Sequence, residues 1–187
     1  MVIASPRRVY TPEDLIDPED GRRFELVDDE LVERNVSFQS SRIATNVNFF
    51  LWDHVRRGRL GEMIESEMGI RLWPDEPNRT RRPDVAFLAR ARVPEDDPGF
   101  LYVAPDLVVE VVSPGDAAGD VIAKAYEWLS GGVRMVWVVY PTVREVHVYR
   151  TDGQPEIFRA DDTLTGEDVL PGFTINISSF FKSSNDA

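Results

Sequence analysis

The segment PDLVVEVVSP carries one charged side chain, Glu110, inside residues 107 to 112, a run that is otherwise apolar or β-branched. An ionised carboxylate in such a strand costs several kcal/mol unless it is paired, hydrogen-bonded or bound to a metal. Side chains alternate across a strand, so Glu110 shares a face with Val108 and Val112, while Val109 and Val111 face the other way. A second carboxylate, Asp84, opens PDVAFL behind Pro83, which fixes the start of that strand. Carboxylates at the ends of two adjacent strands make an oxygen-rich site able to hold Mg²⁺ or Mn²⁺. Attack by water on a phosphodiester at such a site also needs a cation to orient the water or neutralise the phosphate, and Lys124 is the candidate.

Two readings of Lys124 stand side by side. On a helix over 117–130, Val121, Ala125, Trp128 and Leu129 form a packing stripe, and Asp120, Lys124 and Glu127 share another face. Lys124 could then form an exposed i, i+4 pair with Asp120, worth about 0.3–0.5 kcal/mol. Against this, Lys124 and Lys182 are the only lysines among 21 basic residues. A lysine in a chain that otherwise uses arginine points to a place that needs a compact ammonium rather than a planar fork.

The elements that must position these groups follow from periodicity and turn chemistry. Residues 10 to 20 read as a short helix with Thr11 as N-cap and Pro12 at its first position. Strands at 22–27 and 30–34 form a hairpin about the turn Asp28-Asp29. Between 40 and 57, Ile43, Val47, Phe50, Leu51 and Val55 recur as one stripe of an amphipathic helix ending at Gly58. Strands are expected at 62–67, 69–73 and 83–88, an acidic loop at 89–100, the apolar strand at 107–112, and the helix 117–130 ending in Gly131-Gly132. RMVWVVY and REVHVYR are two further strands about Pro141-Thr142. The pattern is a mixed α/β sheet with helices, preceded by an N-terminal β-hairpin arm.

At 187 residues, with 42% hydrophobic and 29% charged side chains, the chain reads as one domain over 1–187, its core spanning about 20–180 with less regular ends. The start MVIASPRRV holds no apolar run, and no segment approaches the ~20 apolar residues of a membrane helix, so the expected location is the cytoplasm, with no membrane partner. Zero cysteines exclude disulfides, thiolate nucleophiles and zinc fingers. Any metal must bind oxygen, since only His54 and His147 offer nitrogen, and both read as packing or surface residues. The net charge of -12 opposes a general phosphate-binding surface. Local clusters soften it: Arg79, Arg81 and Arg82 in NRTRRPD, and Arg56, Arg57 and Arg59 in HVRRGR.

The order RRPDVAFL, PDLVVEVVSP, DVIAKAYEWL and VWVVYP, with FELVDDELVER upstream, resembles the PD-(D/E)XK nuclease superfamily, and within it the Uma-two branch of restriction-endonuclease-like proteins. The resemblance spans roughly residues 10 to 180. It implies a restriction-endonuclease-like fold, and Asp84, Glu110 and the backbone carbonyl of Val111 as metal ligands. Val112 occupies the position where the superfamily's lysine usually stands, so the resemblance implies that Lys124 takes that role from the helix. Glu25 and Ser113 match positions the branch favours as supporting groups, with Asp120 beside Lys124; an exposed hairpin residue and a turn hydroxyl are the plainer readings of the first two. Relatives often carry a histidine where this chain reads SFQSS, and Gln39 or Ser40 stands in its place.

The leading expectation is a Mg²⁺- or Mn²⁺-dependent DNA endonuclease, with Arg79, Arg81 and Arg82 as DNA contacts and a homodimer by analogy with enzymes that cut both strands. The alternative is a non-catalytic nuclease-fold domain that binds or scaffolds through a partner, which suits the acidic charge. No G-x-x-x-x-G-K-[ST], G-x-G-x-x-G or G-x-S-x-G motif supports another enzyme class.

Overall fold

Residues 107–111 form the strand around which the rest is assembled. The structure, a computed structural model, describes residues 8–16, 24–95 and 99–183. The hairpin consists of β1 (Phe24–Val27) and β2 (Glu30–Glu33). Helix α1 (Phe38–Gly58) follows, then β3 (Gly61–Glu65), β4 (Val85–Ala89) and β5 (Leu107–Val111). Helix α2 (Ala118–Ser130) crosses to β6 (Met135–Tyr140), and the antiparallel β7 (Glu145–Arg150) and β8 (Glu156–Phe158) complete a six-stranded sheet in the order β3-β4-β5-β6-β7-β8. Only β5 and β6 are parallel, because a helix is the connection that returns the chain to the same end of the sheet. The small pair β9 (Thr163–Thr165) and β10 (Thr174–Asn176) and the short α3 (Ser178–Phe181) close the chain.

Alternation in the central strands builds a core on each face. Leu107, Val109 and Val111 of β5, with Val85, Phe87, Trp137 and Val139, pack against Ile43, Val47, Leu51 and Val55 of α1. On the other face Val108, Ala86, Leu88, Val136 and Val138 meet Ala125, Trp128 and Leu129 of α2. Glu110 lies on this second face, as the alternation requires.

Several expectations change at their edges. The segment 69–73 is not a strand: Ile70 alone forms bridges, to Arg81 and to Leu101, because the neighbouring segments are loops that meet it at one residue each. The helix expected over 10–20 is a single 3-10 turn, Pro12–Leu15, begun by Thr11 as foreseen; residues 17–20 and the hairpin's 22–23 lie outside the described part. Helix α1 ends at Gly58 as expected, and the residue after it, Arg59, caps it in the left-handed conformation at φ 51°. Residues 156–181 gave no periodic signal, since three-residue strands are too short to show one.

The hairpin forms as expected about Asp28 and Asp29, both at positive φ, the geometry of a two-residue turn that follows the strand twist. It is docked rather than free. Leu26 exchanges two backbone hydrogen bonds with Thr80, each 2.9 Å, and Leu26 and Glu25 are buried.

The start of α1 matters because its first turn reaches the site. Ser37 caps it, accepting from the Ser40 N–H at 3.0 Å, while Ser40 Oγ accepts from the Ser37 N–H at 3.0 Å. Ser37→Ala removes one half of this reciprocal cap and lowers stability by about 1 kcal/mol, read from urea unfolding; Ser37→Asp, which caps as well, restores it.

Candidate active site

The last pair of the β4–β5 ladder is Val85 with Val109, so one further step of the same register sets Asp84 across from Glu110. At that point the two strands part, and Asp84 turns its side chain to the end of β5, where Oδ2 accepts the Val111 N–H at 2.8 Å. Its other oxygen, Oδ1, accepts from Arg34 Nη2 at 2.9 Å. Arg34 lies just beyond β2 and also reaches the Ser66 carbonyl at 3.2 Å.

Glu110 is fixed from α2. Trp128 Nε1 donates to its Oε1 at 2.8 Å, and Lys124 Nζ donates to its Oε2 at 3.0 Å. Trp128 and Lys124 are one helical turn apart, so a single face of α2 delivers both donors. Lys124 is shared with the hairpin, since Nζ also donates to Glu25 Oε1 at 2.9 Å. Glu25 Oε1 additionally accepts the Arg82 backbone N–H at 2.9 Å, and its Oε2 accepts from Arg81 Nη1 at 2.9 Å. Asp84, Glu110, Lys124, Glu25 and Arg34 line one cleft of about 420 Å³ between the hairpin and α2.

Electrostatics separate the two glutamates. Burial alone would raise Glu25, but Lys124 and then Arg81 outweigh it and hold its carboxyl at about 2. Burial raises Glu110 too; Lys124 opposes this, yet Asp84 and Glu25 repel its negative form, and the group stands at about 7. For Lys124 burial pulls down, and the carboxylates of Glu110 and Glu25 more than compensate, so it stays charged. The site therefore holds one firmly ionised carboxylate, one firmly charged ammonium and one glutamate poised near neutrality.

Other expected residues fall elsewhere. Lys124 does not pair with Asp120, which is exposed at the rim of the cleft and forms no ion pair among the described residues. Gln39 is exposed; Ser40, its neighbour, is the buried one and accepts a 2.8 Å hydrogen bond from Ser113 Oγ. Ser113 thus ties β5 to α1 rather than touching Glu110 or Lys124, and its N–H donates to Asp116 Oδ2 at 2.7 Å. The arginines of NRTRRPD are turned inward. Arg81 bridges Glu25 and Glu127; Arg79 pairs with Asp28, Glu76 and Glu127; Arg82 is 4% exposed and donates to the Glu67 and Leu15 carbonyls. Their guanidiniums hold the hairpin to α2 and to the loops. His54 Nε2 donates to the Pro171 carbonyl at 3.0 Å, and His147 sits 3.3 Å from Glu145, both away from the cleft.

Two members were not foreseen in their roles. Arg34 had no distinguishing neighbour in sequence. Trp128 was assigned to packing, although a buried indole N–H must find an acceptor and a glutamate on the facing strand was available.

Asp84, Glu110 and the Val111 carbonyl are suited to a hard divalent cation. Their donors are all oxygen, and the repulsion that Asp84 adds to Glu110 marks a place where positive charge is favourable. Among the described residues no three His, Asp or Glu side chains converge as a metal cage, so a carbonyl and water would have to complete the shell, as Mg²⁺ commonly accepts.

In chelator-treated protein the raised Glu110 has a stability consequence. Its folded value lies above the ordinary 4.5, so the native state holds the proton more tightly than the unfolded chain between about 4.5 and 7. The contribution of Glu110 is thus fully present below that window and lost as pH rises through it. Glu110→Gln abolishes this loss: relative to wild type, the variant gains stability between pH 5 and pH 8 in urea unfolding. A constant difference across that range would contradict the assignment.

The sequence model of the Uma2 family, described as "Putative restriction endonuclease", matches residues 12–178. A crystal structure of a protein named a putative nuclease, from Anabaena variabilis, superposes with a TM-score of 0.75 at 18% identity, covering 84% of this chain and 89% of that one. At that identity the likeness carries the fold alone, and it is the restriction-endonuclease-like mixed sheet flanked by helices. No curated protein matches the sequence. No helix among the described residues is long and apolar enough to cross a membrane. With its family model matched over nearly the whole chain and its fold that of a nuclease-like protein, the chain belongs to the Uma2 family of restriction-endonuclease-like proteins.

Proposed function

We propose that the protein is a metal-dependent endonuclease that hydrolyses DNA phosphodiester bonds, and the observation that carries the reading is the sharing of Lys124 between Glu110 and Glu25 beside Asp84. Asp84, Glu110 and the Val111 carbonyl would hold Mg²⁺ or Mn²⁺. A divalent cation there supplies Lewis acidity toward the phosphate and lowers the pKa of water. The protein's own groups do the rest. Val111 N–H orients Asp84, and Trp128 pins one oxygen of Glu110 so that the other faces the cleft. Lys124, kept charged by its two carboxylates, neutralises the negative charge that grows on the phosphate oxygens. Glu25, firmly ionised, keeps the ammonium in place without competing for the proton. Arg34, which pairs with Asp84 beside the Ser66 carbonyl, would be the guanidinium nearest to hand for a phosphate if a cation displaced it from that carboxylate.

A second reading, a binding or scaffold domain that keeps the fold without cutting, is favoured by one feature: both oxygens of Asp84 and both of Glu110 already have internal donors. Calorimetric titration with Mn²⁺ separates the two. A nuclease binds the ion at micromolar to millimolar concentration and loses that heat on Glu110→Gln; a scaffold gives the same flat trace for both proteins.

Cleavage is the direct test. Plasmid and single-stranded DNA incubated with Mg²⁺ or Mn²⁺ are cut by wild type, not in EDTA, and at least 10²-fold more slowly by Asp84→Ala, the order expected when one electrostatic contributor is lost. Equal cutting by the variant ends the assignment of Asp84.

A further inference from the structure

The described arginines are mostly committed to partners within the protein, and three that are not stand together. The guanidiniums of Arg56 and Arg59 at the end of α1 and of Arg90 just after β4 make no hydrogen bond or ion pair among the described residues, and all three residues line an open cleft of about 670 Å³. By contrast Arg57, their neighbour in sequence, is paired with Asp53 at 2.9 Å, and Arg92 with Asp106 at 2.9 Å. One carboxylate, Glu62, also lines the cleft, leaving a net charge of +2 from these four side chains in a chain of -12.

Aromatic surface adjoins the charge. Trp52 walls the cleft and is 44% exposed, with the Arg56 guanidinium stacked 4.8 Å from its ring centre. Phe49, one turn earlier on α1, is 61% exposed. Exposed rings beside unpaired arginines are the equipment of a single-strand binder: bases stack on rings and on guanidinium planes, and the arginines take phosphates. A duplex hides its base faces and gives such rings nothing to stack on.

Position connects this cleft to the candidate active site. β3 and β4 run side by side between them: Gly61 and Arg90 lie at the cleft, while at the other end Glu65 pairs with Val85, the residue next to Asp84 of the candidate active site. Five residues of strand at ~3.3 Å each separate the two by about 16 Å, a distance that a single strand of a few nucleotides can span.

We infer that Trp52, Arg56, Arg59 and Arg90 form a second binding site, for single-stranded nucleic acid, that holds the strand on one side of the bond to be cut. The link to cutting rests on the nuclease reading; the binding does not. Binding is therefore measured without catalysis, by fluorescence anisotropy of a labelled oligothymidine of about 12 nucleotides in EDTA, on the Asp84→Ala background. Three phosphate contacts give a slope of log K against log salt of about -2, at ~0.7 per phosphate on a single strand.

Arg56→Gln/Arg59→Gln/Arg90→Gln flattens that slope by about two and weakens binding at least tenfold at low salt; Gln keeps the side-chain length and suits the left-handed Arg59 as Arg does. Trp52→Ala weakens binding several-fold with the slope unchanged. Binding by the triple variant equal to its parent overturns the site. Equal affinity for a duplex with no effect of Trp52→Ala overturns the single-strand assignment, and equally strong competition by polyglutamate overturns nucleic acid in favour of an acidic protein segment. Hydrolysis of bis(p-nitrophenyl) phosphate with Mn²⁺, too small to reach the second cleft, tests the nuclease reading separately: its absence in wild type sinks that reading and leaves the binding result standing.

Discussion

One ammonium group, Lys124 Nζ, joins three parts of the chain at a single point. It lies on α2, and its acceptors are Glu110 on β5 and Glu25 on the hairpin, the latter 99 residues away. Each of these charges is largely out of water, and removing one partner from such a set costs about 3–5 kcal/mol because the remaining charge is left uncompensated. The same set assembled from apolar residues would be no less stable. Stability alone therefore does not account for building the junction of sheet, helix and hairpin from ions.

The ionic arrangement extends outward from Lys124 in alternating sign. Glu25 meets Arg81, Arg81 meets Glu127 on the same helix as Lys124, and Glu127 meets Arg79, which reaches Asp28 at the hairpin turn. Each arginine contributes a fork that can serve two carboxylates at once, which a lysine cannot do with fixed geometry. Arginine is thus the residue of the clamp and lysine the residue of the site. The division also explains how a chain so rich in arginine remains so acidic on its surface: much of its positive charge is consumed in fixing the hairpin and the loops, and little faces solvent unpaired.

How far the site could be read in advance depended on whether its signals were local. Glu110 was visible because a single charge broke an apolar strand, and Lys124 because lysine is scarce and the α2 stripe left it off the packing face. The amphipathic spacing of Ile43, Val47, Leu51 and Val55 announced α1 for the same reason. Glu25 could only be reached through resemblance: on its own strand it alternates like any surface residue, and its burial comes from contact with residues 81, 82 and 124. Arg79, Arg81 and Arg82 read as a basic surface patch because the carboxylates of α2 and the hairpin that meet Arg79 and Arg81 lie 46 residues away or more, and Arg82 ends on backbone carbonyls, where no periodicity points. Arg34 gave no signal and residues 69–73 read as a strand for a related reason, since isolated long-range contacts leave no repeating pattern.

Trp128 shows why the poised state of Glu110 is a property of the fold rather than of the residue. Its indole N–H fills one oxygen of Glu110 without adding charge, so it orients the carboxylate while leaving burial and the neighbouring carboxylates to raise its proton affinity. A second cation in that place would have pulled Glu110 toward the firmly ionised condition of Glu25, which has two. The asymmetry follows from geometry: α2 turns one donor of each kind toward β5, and the hairpin receives Lys124 and Arg81 together. Two glutamates of the same chain, joined through one ammonium, are driven in opposite directions, and the one left near neutrality is the one that borders Asp84. Proton or cation, that corner of the cleft favours a positive guest.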